Sequence, residues 1–212
     1  MSSWENRREF LTKLARRSIV GEREFILRRN HLMKVCQLSR GSIYNQFPNE
    51  ADLQLSLAAD DYQYRLSTAK QQFEAIDNPL HAYAIHHFSY LRGLQLDNLH
   101  PLARLNASDS TLAGASEAYR NLYLEAEAQY NAWNAQMIAQ IAPPQGYNRE
   151  MIVSHFITGT KINWANDNHP LQEQQFDHFC YALYQLLGVK NCSKPLWSDY
   201  LKLESKEERL VA

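Results

Sequence analysis

Eleven residues, Leu38-Ser39-Arg40-Gly41-Ser42-Ile43-Tyr44-Asn45-Gln46-Phe47-Pro48, constrain the fold of this chain more than any other stretch. Ser39 is a good helix N-cap, because its hydroxyl accepts from the free amides of the turn it opens, and Pro48 lacks the amide that a continuing helix needs. The spacing predicts a very short helix between them. Ile43 and Phe47 stand four apart, on one face where both can be buried. The other face offers Arg40, Ser42, Tyr44 and Asn45, and Gly41 lets an outside surface come close to the backbone. So short a helix is not stable alone and must dock. The segment Asn30 to Gln37 supplies a neighbour, with Leu32 and Val35 at helical spacing. Two such helices joined by a tight turn form a helix-turn-helix.

The run LSRGSIYNQFPNEADL resembles the end of the DNA-binding domain of TetR-type (tetracycline-repressor-like) regulators. Their pattern is roughly a hydrophobic residue, Ser, any residue, Gly, Thr or Ser, Leu or Ile, Tyr, any residue, His and Phe, then a short turn and a long helix. Ser39, Gly41, Ser42, Ile43, Tyr44 and Phe47 match as they stand. The motif resemblance covers roughly residues 8 to 57, and family-like helix lengths extend it more loosely over the whole chain. Three positions depart from the pattern: Gln37 replaces the usual turn glycine, Arg28 the usual Thr cap, and Glu50 a common phosphate-binding Lys. A carboxylate at the last position opposes a phosphate backbone.

The resemblance implies an all-α protein of about nine to ten helices, divided into a helix-turn-helix DNA-binding domain over 1–48 and a larger helical linker, effector-binding and dimerisation domain over 49–212. It places Arg28 and Arg29 at the DNA backbone and Asn30 near a base edge. Arg40 and Ser42 then face the major groove, with Gly41 close to it and Asn45 beside them. Arg bonds guanine bidentately, Asn pairs with adenine, and a hydroxyl takes either role. Tyr44 is expected to give its hydroxyl to a phosphate, which positions without reading sequence. Each residue also has a plainer use: Tyr44 half-buried with a wet hydroxyl, Arg40 as a surface charge, Asn30 and Asn45 as local caps.

Charge is unevenly spread. Residues 1–50 carry ten Lys/Arg against five Asp/Glu, and the rest of the chain carries 12 against 18. A basic head on an acidic body suits DNA at one end only. Three scattered cysteines, Cys36, Cys180 and Cys192, suggest neither a disulfide framework nor a zinc spacing. No apolar run approaches the roughly 20 residues needed to cross a bilayer, and the first residues lack a signal peptide's apolar core. A soluble, cytoplasmic protein without membrane contact, metal or cofactor is expected.

Along the chain, Phe10, Leu11, Leu14, Ala15 and Ile19 recur at helical spacing, with Arg7, Arg8, Lys13, Arg16 and Arg17 on the other side. Gly21 ends this helix, and Arg23 to Leu27 make a connection. Asn49 caps a long helix running to about Ile76, which Asp77-Asn78-Pro79 terminates. Leu80 to Leu96 is crowded with apolar and aromatic residues. Its His86-His87 pair does not suggest a metal site, because neighbours on a helix point about 100° apart; one buried and one exposed histidine is expected. A short helix is read near Leu102 to Leu105 and a loop from Asn106 to Gly114.

The helix from about Ser116 to Ala142 carries a stripe of Tyr119, Tyr123, Tyr130 and Trp133, closed by Pro143-Pro144-Gln145-Gly146. Such a stripe is core packing by default, yet buried Tyr and Trp need partners for their polar tips, which favours a cavity with polar anchors. With the family's ligand pocket among its middle helices, His87, Tyr90, Tyr119, Tyr123, Tyr130 and Trp133 become candidate lining for a small-molecule effector. Two further helices, 148–165 and 171–187, correspond to the pair through which the family forms homodimers. Ile152, Phe156, Gly159, Phe179 and Leu183 are the candidate interface, with core as the other reading. A last short helix docks through Leu196, Trp197, Tyr200 and Leu201.

The function that follows is a dimeric regulator, a repressor binding a palindromic operator in double-stranded DNA and released or engaged by an effector. A helical module of the same fold that has lost operator binding is the alternative. A small enzyme is a weaker one: Ser67-Thr68-Ala69-Lys70 has Ser-x-x-Lys spacing, but the partner motifs of such hydrolases are missing.

Overall fold

Helical periodicity becomes ten α-helices, and no strand, among the described residues. The computed structural model describes residues 3–22, 27–36, 38–105, 107–142, 146–166, 171–190 and 192–204, without the side chains of 35, 36 and 166. The expectations for Gln37, Val35, most of the connection before Leu27 and the Pro143-Pro144-Gln145 breaker fall outside that set. The helices are α1 (Ser3–Ser18), α2 (Arg29–Cys36), α3 (Arg40–Gln46), α4 (Glu50–Ala75), α5 (Pro79–Leu96), α6 (Asp109–Gly114), α7 (Glu117–Ile141), α8 (Arg149–Asn166), α9 (Glu173–Leu187) and α10 (Trp197–Glu204). A 3-10 turn, His100–Arg104, stands where a short helix near Leu102 is read. No described helix is long and apolar enough to cross a membrane.

Packing divides the chain into two compact units rather than at a single point. One unit gathers Met1–Tyr64 with Asp97–Gln129, the other Arg65–Leu96 with Tyr130–Leu210. The long helices α4 and α7 each give their first part to the former and the remainder to the latter.

In the first unit, Leu11, Ala15, Ile19, Leu27, Leu32, Ile43, Phe47, Leu53 and Leu57 form the core. Gly21 closes the end of α1 at a φ of +79°, a value that only glycine adopts without strain, and its amide bonds Asn98 O at 2.9 Å. Asn49 caps α4 as read: its Oδ1 accepts from Asp52 N at 2.8 Å. The buried face of α1 differs from the expectation. Phe10 is 55% exposed, whereas Arg16 and Thr12 are buried. The reason lies on α4, which presents polar groups to α1: Thr12 Oγ1 meets Ser56 Oγ at 2.8 Å, and Arg16 bonds Asp60 at 2.9 Å. The expected loop before Gly114 contains α6, whose N-cap Ser108 accepts from Thr111 N at 3.2 Å. Six residues are too few to display a period.

In the second unit, α5 is buried on every side from Ala82 to Leu91. Both His86 and His87 are therefore buried, and the expectation of one exposed histidine fails because no side of this stretch of α5 faces water. Phe88 packs against Phe176 at 4.9 Å, Tyr200 at 5.4 Å and Trp164 at 5.8 Å. Phe176, Phe179, Cys180, Leu183, Tyr184 and Leu187 bury one face of α9, as their spacing predicts.

Candidate nucleic-acid interface

The short helix forms as its brackets require. Ser39 Oγ accepts from Ser42 N at 3.2 Å, and the Phe47 amide bonds Ile43 O at 2.8 Å as the helix stops before Pro48. Ile43 and Phe47 are fully buried. Three further ties brace α3.

The first is Arg29, whose guanidinium bonds Phe47 O at 3.1 Å and also Pro48 O, capping the carbonyls at the end of α3. The second is Glu50, which accepts from the Arg29 amide at 2.8 Å and from its Nε at 3.2 Å. The carboxylate thus sits at the start of α2, where a helix dipole favours it, and its charge is paired. Glu50 replaces the phosphate-binding Lys of the resemblance with a joint between α2, α3 and α4. Arg29, expected at the DNA backbone, spends its donors inside that joint. The third tie is Tyr119: its hydroxyl donates to Gln46 O at 2.7 Å and accepts from Gln46 Nε2 at 2.9 Å. Its ring lies 5.6 Å from Phe47 and 5.5 Å from Trp4.

The opposite flank of α3 is open. Arg28, Asn30, Arg40, Gly41 and Asn45 are exposed, and Ser42 and Tyr44 are half-buried. A methyl group added at Gly41 would meet nothing within 4 Å. The Arg29 guanidinium lies 4.3 Å from the Tyr44 ring and that of Arg40 lies 4.9 Å from it. Its hydroxyl, expected on a phosphate, donates to Asn30 Oδ1 at 2.9 Å. Seven of the eight sequence-derived interface residues therefore belong to α2 and α3, Arg28 standing just before α2, although Arg29 faces inward. Glu50, Gln46 and Tyr119 were not among them; only the structure reveals what they brace.

The six candidate pocket residues separate into two groups. Tyr119 and Tyr123 belong to the first unit, where Tyr119 braces α3 and Tyr123 donates to Glu127 at 2.7 Å. Burial pushes the Tyr119 phenol up to about 12. His87, Tyr90, Tyr130 and Trp133 belong to the second unit and gather with Tyr83, His86 and Arg65. The Arg65 guanidinium lies 4.1 Å from the Tyr130 ring and 4.7 Å from that of Tyr90. Tyr83 donates to Asn134 Oδ1 at 2.6 Å, and His86 Nε2 lies 3.1 Å from the Tyr130 hydroxyl. His86 Nδ1 is buried without a hydrogen-bond partner among the described residues, and His87 has Asn134 within reach. Burial, and then the Arg65 charge, lowers His87 from 6.5 to about 3; burial also holds His86 well below its ordinary value, with His87 and Arg65 adding to the effect.

A cleft of about 830 Å³ lies elsewhere in the second unit, lined by Arg92, Leu96, Glu173, His178, Trp197 and Leu201 among others; none of the six candidates lines it. Of the candidate interface residues, Phe179 and Leu183 are core, Ile152 and Phe156 are half-buried, and Gly159 is exposed. Met151, Ile162 and Tyr181 add exposed apolar surface on α8 and α9, at 50%, 36% and 70%. Ser67 and Lys70 are exposed on α4. No protein-family model matches the chain, and no curated protein matches it.

Proposed function

We propose that this protein is a sequence-specific DNA-binding regulator of the TetR type, acting in the cytoplasm as a dimer on a palindromic operator. The observation that carries this reading is the contrast across α3. Its inner flank is braced by Ile43, Phe47, Arg29 and Tyr119, while its outer flank, with Asn30 of α2, carries only polar groups and a glycine with open space above it. Such bracing holds side chains steady for something outside the chain. Two copies would enter successive major grooves about 34–36 Å apart. The pairing of Glu50 with Arg29 offsets the repulsion that a free carboxylate would exert on phosphates.

The exposed apolar side chains of α8 and α9 support a second copy as their cover. Effector control is proposed to act by binding two states of the body unequally.

Fluorescence anisotropy of a labelled palindromic duplex, drawn from the DNA upstream of the protein's own gene, tests the reading. Binding should weaken steeply as salt rises and should exceed that to random duplex by about a thousandfold. Equal affinity for both duplexes overturns it.

A further inference from the structure

Glu50 stands where charge alone argues against it. It opens α4 at the edge of the basic head, at the position where the resemblance expects a lysine on a phosphate. Its neighbours give it another use. One oxygen accepts from the Arg29 amide at 2.8 Å and the other from Arg29 Nε at 3.2 Å, so the carboxylate grips one residue of α2 by two charge-assisted bonds. The Arg29 guanidinium reaches on to Phe47 O at 3.1 Å and to Pro48 O, the carbonyls that close α3, and lies 4.3 Å from the Tyr44 ring. Tyr44 in turn donates to Asn30 Oδ1 at 2.9 Å, next to Arg29 on α2. The contacts close a loop: α4 to α2 through Glu50, α2 to the end of α3 through Arg29, and α3 back to α2 through Tyr44. Ile43 and Phe47 hold α3 down by burial, but the hydrophobic effect has no direction. The polar loop, together with Tyr119 on Gln46, supplies the direction.

We infer that Glu50 and Arg29 are a positioning pair, which sets the angle at which the outer flank of α2 and α3 meets an operator half-site without itself touching DNA. Glu50 is then required for sequence preference at the very position where a phosphate contact is expected. The inference rests on the DNA-binding reading above and names residues that govern its specificity.

The test uses the full chain and two duplexes, one enriched by the unaltered protein from randomised palindromic half-sites and one random. Anisotropy compares Glu50→Gln, Glu50→Lys, Arg29→Lys and the Glu50→Gln/Arg29→Lys double variant, each checked for folding by thermal unfolding. Glu50→Gln should lower the preference for the enriched duplex by about tenfold, within what one base contact is worth, and leave binding to random duplex unreduced. Glu50→Lys should lose preference while gaining affinity for random duplex, because its ammonium repels Arg29 and adds positive charge to the head. Arg29→Lys keeps the charge but not the planar fork, and reads the pair independently of Glu50→Gln. It should lose as much preference as Glu50→Gln, and the double variant no more than either, as the two halves of one device do. Unchanged preference in Glu50→Gln and Arg29→Lys, or affinity for both duplexes rising together as removal of a repelling carboxylate produces, overturns the inference and leaves DNA binding standing. Affinity for both duplexes falling together in folded variants also overturns it, because that marks general support of the head. A pool from which the unaltered protein enriches no sequence removes the sequence-specific reading and this inference with it.

Discussion

Arginine and tyrosine meet at two places in this protein with opposite architecture. At α3, one ring, Tyr44, meets two guanidinium groups; in the second unit one guanidinium, Arg65, meets the rings of Tyr90 and Tyr130. A cation over an aromatic face is worth about 0.5–1 kcal/mol in water and about 2 kcal/mol when desolvated. At α3 only Arg40 is exposed, and its contact with the ring therefore adds little stability. The Arg65 arrangement, with both rings buried, contributes to packing; burial and then its positive charge disfavour protonation of His87, and both also act on His86. Identical side-chain chemistry stays open to solvent at Arg40 and adds to packing where both rings are buried.

The contrast can be broken most forcefully at Trp133, which lies 5.0 Å from His86, 5.5 Å from Phe73 and 5.6 Å from Tyr130. Trp133→Ala should cost about 3–5 kcal/mol in thermal or denaturant unfolding. A loss below about 1 kcal/mol would show that the buried cluster is not a packing device.

Acid sharpens the same point. His87 takes a proton near 6.5 in the unfolded chain but only near 3 when folded. Below 6.5 the unfolded state binds more protons, so stability is complete above that pH and falls as pH drops toward 3, by up to roughly 1.4 kcal/mol per pH unit for one proton. His86 contributes with the same sign. Denaturation midpoints at several pH values should show a shallower acid slope for His87→Gln than for the unaltered protein, and equal slopes would refute the assignment.

Tyr119→Phe should cost about 1–3 kcal/mol, because it leaves Gln46 Nε2 buried without its acceptor. If Tyr119 braces α3, faster amide exchange over residues 40–47 should accompany the loss; unchanged exchange there would remove that role. The smallest stability effects belong to the open flank. Arg40→Ala should stay within about 0.5 kcal/mol, and Gly41→Ala should stabilise by about 0.5 kcal/mol while weakening operator binding. A Gly41→Ala protein that gains stability and binds DNA undiminished would show that the glycine does not serve close approach.

Much of the fold was legible because helix signals are local. The Ser39 and Asn49 caps, the turn at Gly21 and the buried stripe of α9 all rest on residues within a few positions of one another. The candidate interface residues all fall between 28 and 45, so local sequence alone could group them on one short piece of chain. Arg16, His86 and Tyr119 were read less well. A helical period identifies the apolar side of a helix and says nothing of what faces its polar side. The buried polar face of α1 depended on Ser56 and Asp60 of α4, each 44 residues away from its partner in sequence.

From its sequence alone, then, this chain determined where helices start and stop, which stripes are apolar, and that a short capped helix presents a polar flank. Tertiary structure alone decided where polar tips are spent: Tyr44 on Asn30, Glu50 on Arg29, and Tyr119 on Gln46. Capping and amphipathicity are settled within a turn or two of chain, whereas a hydrogen bond between residues 14, 21 or 73 positions apart exists only once packing has brought its two ends together.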